Sequence, residues 1–234
     1  MNLFYSKNTT INHHEITIID QENRHLTKVL RKKSGDTIYV TNGQGVLFEC
    51  IIEDSNKNKS VLRIQNYSMS NNYIPKLKIG ISLTKKTDRF ELFLEKATEI
   101  GVFEITPIIS KNSERRKFNF DRSNKILISA MKQSLQYKLP ILNKPISFLD
   151  FISKTDNSYD SYIATCINNG LDLFNRKLCK GNNSEILIGP EGGFTLNEID
   201  LAKKANFVPV SLGKNRLRTE TAGIVVCSIF SNNN

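Results

Sequence analysis

The 234-residue chain has no tryptophan, three histidines and four cysteines, and nowhere a long apolar run. Each shortage removes a class of function. Cys50, Cys166, Cys179 and Cys227 are not at metal-ligand spacing and nothing in the sequence looks secreted, so structural thiols in a reducing compartment are expected. His13, His14 and His25 have no cysteine cluster beside them, which argues against zinc. The C-terminal half has no histidine, which argues against a hydrolytic triad. No apolar stretch approaches the roughly 20 residues of a bilayer span. The opening residues Met1 to Lys7 lack the charged-then-apolar plan of a secretion signal, so no membrane partner and a cytoplasmic location are expected. The P-loop ending Gly-Lys-Ser/Thr and the dinucleotide fingerprint Gly-x-Gly-x-x-Gly are both missing from the glycine-rich loop described below.

What the chain does have is positive charge: 33 basic against 23 acidic residues, a net +10. Residues 74–140 hold 14 basic and 7 acidic groups, so most of the excess sits in the middle third. A polyanionic partner, nucleic acid first, fits this balance, although a basic surface kept for solubility would look the same.

Two organisations follow one another. Residues 1–70 read as a β-rich unit: Asp36 to Thr41 and Val46 to Ile52 alternate around the turn Asn42-Gly43-Gln44-Gly45, and Lys59 to Tyr67 alternates again. Gln21 to Lys33 reads as a helix with Leu26, Val29 and Leu30 on one face, closed at Ser34-Gly35. Ser68 to Pro75 reads as a linker. From 74 to 234 strands and helices alternate, which implies a parallel sheet in an α/β domain. The expected strands are Leu77 to Leu83, Val102 to Ile109, Tyr159 to Ile167, Glu185 to Ile188 and Phe207 to Leu212. The expected helices are Arg89 to Ile100, with Phe90, Phe93, Leu94, Ala97 and Ile100 as its apolar stripe, Asn124 to Tyr137, and a largely buried terminal helix. The tail Ser231 to Asn234 is expected to fray.

The chemistry concentrates in two loops. Gly189-Pro190-Glu191-Gly192-Gly193-Phe194 follows a buried strand, and Thr195-Leu196-Asn197-Glu198 then fits a capping box that opens a helix at Leu196. Glycines let a ligand approach the backbone closely, and the carboxyl end of a parallel strand is where nucleotide-type ligands bind. A tight structural turn would use the same residues. The second loop runs Gly213-Lys214-Asn215-Arg216-Leu217-Arg218-Thr219-Glu220-Thr221-Ala222. Two arginines just ahead of a helix N-terminus suit an anion, including one formed during reaction. Equally, Glu220 could complement the helix dipole and Arg218 could form a salt bridge.

Taken in order, these segments resemble the ribosomal uridine-N3 methyltransferases, the ribosomal RNA small subunit methyltransferase E family, within the SPOUT superfamily of knotted RNA methyltransferases. The resemblance is carried by Gly189 to Gly193, Leu212-Gly213 and Leu217 to Ala222. Upstream it includes Val29-Leu30-Arg31 with Gly35-Asp36, Glu95 to Val102, Ile105-Thr106-Pro107 and Gln133-Ser134. It implies a PUA-like β-barrel over 1–70 and a SPOUT α/β domain over 74–234, with a deep trefoil knot at about 185–225. It further implies S-adenosylmethionine held by Ile188, Gly189, Gly192, Leu212, Gly213, Leu217, Arg218 and Thr219, no metal, a homodimer, and methylation of N3 of a uridine in 16S rRNA within the small ribosomal subunit. Where family members often carry Glu-Gln-Ser/Cys-Gly-Arg, this chain has Lys132-Gln133-Ser134-Leu135-Gln136, and only Lys7 stands where arginines often open the family's chains. N3 of uracil must lose a proton to become nucleophilic, so Arg218 is expected to stabilise the resulting anion and Glu220 to orient it or take the proton. Arg31, Lys32, Lys85, Arg89, Arg115 and Arg116 are the expected RNA contacts. Methylation of a ribose 2′-hydroxyl or a transfer RNA, and a non-catalytic RNA-binding assembly factor, are the competing readings.

Overall fold

The computed structural model describes residues 2–70, 75–166 and 170–234. It divides into two compact units. The first is Met1–Asn72 together with Ile128–Leu139, and the second is Tyr73–Leu127 with Pro140–Asn234. The expected division near residues 70–74 is therefore joined by a second exchange: a segment from the middle of the chain packs with the N-terminal unit. Of the expected linker, Ser68 and Met69 extend a strand, and Asn71 to Ile74 lie outside the described residues.

The first unit is a five-stranded sheet in the order β1 (Leu3–Tyr5), β3 (Thr37–Thr41), β4 (Val46–Ser55), β5 (Lys59–Met69), β2 (Glu15–Ile19). β1 runs parallel to β3 and the remaining pairs are antiparallel. Alternation places Ile16, Ile18, Ile38, Val40, Phe48, Cys50, Ile52 and Leu62 in one core with Phe4 and Leu26. The β4–β5 pairing shifts register at Glu49/Cys50 and Ile52/Asp54, and such bulges bend the sheet around its core. β1 and β2 are short and lack the long alternation of β4 and β5, so the sequence did not announce them.

The helix expected over Gln21 to Lys33 is replaced by a short α1 (Asp20–Arg24) that widens into a π turn over His25–Val29. The extra residue per turn rotates the apolar positions out of phase. Leu26 is buried as expected, but Val29 is 66% exposed. The helical path ends at Arg31, which has φ +52°, before Gly35 is reached.

The second unit holds a parallel sheet in the order β12 (Val208–Val210), β10 (Asp160–Ala164), β11 (Ser184–Ile188), β6 (Leu77–Ser82), β7 (Glu104–Ile109), β8 (Ile141–Leu142), with β9 (Ile146–Ser147) also on β7. Continuous apolar runs such as Ile186-Leu187-Ile188 fit a sheet covered on both faces. Helix α2 (Thr87–Ile100) buries Phe90, Phe93, Leu94 and Ala97, while Ile100 is only half-buried. Gly101 ends α2 at φ +97°. Helix α3 (Phe120–Gln133) begins and ends earlier than expected, and Leu135 past its end has φ +55°. Short α4 (Phe148–Ser153) and α5 (Phe174–Lys177) connect strands, and α6 (Leu196–Lys204) follows β11. Of the expected strand Tyr159 to Ile167, residues 160–164 are β10 and Ile167 lies outside the described residues.

Helix α7 (Thr219–Asn233) buries Ala222, Gly223, Val226, Cys227 and Phe230. Gly223 lets it sit close: a Cβ there would lie 2.5 Å from the Phe93 ring. The expected frayed tail is helical instead. Asn234 donates to Phe230 O at 3.0 Å and accepts from Gly181 N at 2.7 Å, so the end of the chain is tied down.

Candidate functional site

Three neighbouring parallel strands, β12, β10 and β11, release their carboxyl-end loops on one side of the sheet. Those loops enclose a cavity of about 850 Å³. β10 contributes Ala164, Thr165 and Cys166, β11 contributes Ile188 to Phe194, and β12 contributes Ser211 to Leu217. Thr219 and Ala222 of α7 close the floor. This is where a doubly covered parallel sheet leaves room for a ligand, and the volume lies in the range of cofactor sites.

The loop after β11 is built rigidly. The Thr195 side chain accepts from Glu198 N and Glu198 Oε2 accepts from Thr195 N at 2.8 Å, which completes the expected capping box. Glu198 Oε1 also accepts from Lys111 N at 2.8 Å. Asn112 Nδ2 donates to Gly193 O at 3.0 Å. A Cβ on Gly192 would lie 3.2 Å from Asn112 Cβ, so the loop approaches its neighbour closely. Gly193 has φ +72°, which favours glycine.

The loop after β12 is anchored at its ends. Ser211 pairs with Leu173, accepting from Phe174 N at 2.9 Å and donating to Asp172 O at 3.0 Å. Gly213 has φ +142°. At the cavity floor Thr219 Oγ1 donates to Gly189 O at 3.0 Å and links the two glycine-bearing turns directly.

Of the eight residues expected to bind the donor, Ile188, Gly189, Gly192, Leu212, Gly213, Leu217 and Thr219 line this cavity. Arg218 does not. It occupies the N-cap position of α7, with an exposed side chain for which no ion pair or hydrogen bond occurs among the described residues. Glu220 is buried at 5% exposure in the first turn of α7, its Oε1 3.6 Å from Arg89 Nε and its Oε2 without a hydrogen-bond partner. Arg89, expected at the RNA surface, is thus half-buried in an ion pair.

The other basic residues differ among themselves. Lys85 Nζ lies 2.8 Å from Glu114, which raises the Lys85 pKa, and Lys32 lies 3.8 Å from Asp36. Arg31 and Arg116 are exposed. Arg115 is half-buried, with Nη1 lacking a partner. Sequence reasoning passed over Cys166, Glu191 and Arg216 as lining residues. Glu191 lies inside a recognised motif and Arg216 immediately before another, but which way a loop side chain points is not written in composition.

A glycine-walled cavity at the carboxyl ends of a parallel sheet suits a nucleotide-type methyl donor, and the chain is an RNA methyltransferase by its family. Residues 71–231 match the RNA methyltransferase domain family and residues 18–65 match the RNA methyltransferase PUA domain. The chain belongs to the ribosomal RNA small subunit methyltransferase E family. The relative of that name from Mesomycoplasma hyopneumoniae is 31% identical, over 95% of this chain and 91% of its own length. The one from Rickettsia conorii is 30% identical, over 95% and 92%. Among solved structures, a probable rRNA methyltransferase from Porphyromonas gingivalis superposes with a TM-score of 0.90 at 35% identity, covering 97% of this chain and 96% of that one. The ribosomal RNA small subunit methyltransferase E of Neisseria gonorrhoeae, solved with S-adenosylmethionine bound, superposes with a TM-score of 0.87 at 27% identity, covering 97% and 95%. No helix among the described residues is long and apolar enough to cross a membrane, and no group of three or more His, Cys, Asp or Glu there could hold a metal ion.

Proposed function

We propose that this chain transfers the methyl group of S-adenosylmethionine to N3 of a uridine in 16S rRNA of the small ribosomal subunit. The observation that carries the reading is the cavity bridged at its floor by Thr219 and Gly189, within a chain of this family. Its walls suit an adenosyl group: Ile188, Leu212, Leu217 and Ala222 offer apolar contact, and the glycine-rich backbone offers hydrogen-bonding groups without side chains in the way. When bound there, the sulfonium supplies an electrophilic methyl group.

The residues around it supply the rest. Methylation of N3 requires that its proton leave, which spreads negative charge over N3, O2 and O4. Arg218, adjacent to the cavity-lining Leu217 and Thr219 and without an acidic partner among the described residues, is assigned to that charge. Glu220 stands two residues further along the same helix. With Oε1 facing Arg89 and Oε2 unpartnered, it is assigned to orienting the site and accepting the proton. A base-paired N3 is hidden, so the target nucleotide is unpaired or turned out of its helix when it reacts. Arg31, Lys32, Lys85, Arg115 and Arg116 are assigned to the RNA backbone, contacts that position without reading sequence. The same reading includes a trefoil threading of about residues 185–225, a homodimer and a cytoplasmic location.

The test is nucleoside mass spectrometry of small-subunit RNA after incubation with labelled donor. N3-methyluridine is expected, and 2′-O-methylnucleosides instead would overturn the assignment. Arg218→Ala should lower the transfer rate at least about a hundredfold, as loss of an anion-stabilising group does. Donor affinity measured by calorimetry should stay within about twofold. Unchanged turnover would remove Arg218 from the chemistry.

A further inference from the structure

The two walls of the cavity differ in how they are held. The wall after β11 is fixed from several sides: Asn112 binds its carbonyls, Lys85 N donates to Glu191 Oε1 at 3.0 Å, and Gly193 N closes a turn onto Pro190 O at 2.8 Å. The wall after β12 is not. Gly213, Lys214, Asn215 and Arg216 are exposed, and Gly213 sits at φ +142°, a conformation that favours glycine. The Ser211 hydroxyl touches Gly213 N and O at 3.3 and 3.1 Å, but that bond stays within the loop. Among the described residues, one hydrogen bond joins residues 213–217 to the opposite wall. Arg216 Nη2 donates to Glu191 O at 2.6 Å, and both residues line the cavity.

We propose that Arg216 straps the sparsely tethered wall of the donor cavity to the well-tethered one and thereby sets how long the methyl donor stays bound. This rests on the donor reading above. The guanidinium is suited to the task because it stays charged at any physiological pH and makes a charge-assisted bond to a carbonyl. The same residue is tethered on its own side as well, because the Glu191 carboxylate accepts from Lys85 N. With the strap closed, Leu212 and Leu217 are kept against the cavity. With it open, the loop pivots at Gly213 and the cavity is exposed from the side. Arg216 acts through the loop and is a positioning residue, in contrast to Arg218.

The experiment is a chase of bound S-adenosylmethionine by stopped flow, together with steady-state kinetics, on the full chain carrying Arg216→Ala or Arg216→Lys. Arg216→Ala should release donor about tenfold faster than wild type, the scale of one partly exposed hydrogen bond to a charged group. KM for donor should rise by a similar factor, with kcat at saturating donor within about twofold and the unliganded thermal midpoint unchanged. Arg216→Lys, which keeps the charge and one donor but not the planar fork, should fall between. Release within about twofold of wild type in Arg216→Ala overturns the strap. So does a fall in kcat with KM unchanged, because it would place Arg216 in the chemistry. If wild-type protein itself binds no donor, the methyltransferase reading fails and takes the strap with it, an outcome visible before any variant is compared.

Discussion

Two buried glutamates in the second unit have opposite surroundings. Glu198 is answered on both oxygens, by Lys111 N and by Thr195, as its place in the capping box requires. Glu185, at the start of β11, meets the Ser161 hydroxyl at 2.7 Å, and burial outweighs that bond and raises its pKa above the ordinary 4.5. The folded state therefore binds the Glu185 proton more tightly than the unfolded chain does. Its contribution to stability is fully present below about pH 4.5 and is lost as pH rises through the raised value. Glu185→Gln keeps an acceptor for Ser161 and removes the charge. Its thermal midpoint should exceed that of wild type near pH 8, with the gap closing toward about pH 4. A gap that does not change with pH would show that Glu185 is charged at no cost. Glu185 was legible in sequence only as part of a strand, because pairing across to Ser161 on β10 is a tertiary fact.

At the scale of elements, helix ends decided more than helix stripes did. The stripe of α2 was readable from Phe90, Phe93, Leu94 and Ala97, and Gly101 announced its end. The π turn at His25–Val29 was not, because periodicity assumes a constant number of residues per turn. The end of α3 is a third case. Leu135 adopts φ +55° at the position where the family's pattern often has glycine, and it is 42% exposed, so little burial offsets the strain. Leu135→Gly should stabilise the protein by about 0.5–1 kcal/mol, read as a higher denaturation midpoint at unchanged slope. A lower midpoint would mean that the Leu135 side chain contributes packing that outweighs its backbone conformation.

For the whole molecule, the chain enters the first unit twice. Gly45 N donates to Tyr137 O at 2.8 Å, Leu139 N to Gly43 O at 2.8 Å and the Thr41 hydroxyl to Tyr137 O at 3.1 Å, while Lys132 pairs with Glu22. A protein ending at Ser70 loses all of these. It should show a lower urea midpoint and weaker amide-exchange protection in β3 and β4 than the same residues in the full chain, because buried backbone groups lose their partners. Equal protection in the fragment would mean that residues 1–70 suffice for the fold of that unit. Sequence division by composition could not foresee the second entry, since Ile128 to Leu139 reads locally as the end of a helix and a loop.

Local chemistry was set by the sequence alone. Alternation built β3 to β5, apolar runs built the buried parallel strands, Thr195 and Glu198 capped α6, and the glycine-bearing loops marked where a ligand could approach backbone. These follow from interactions between residues a few positions apart. Tertiary structure decided what depends on distant neighbours. It brought the ends of β10, β11 and β12 around one cavity, paired Glu220 with Arg89, set Arg216 against Glu191, and placed Ile128–Leu139 with the first unit. The reason is that side-chain direction in a loop, and the partner of a buried charge, are fixed by whichever element packs opposite, and no local pattern encodes that element's identity.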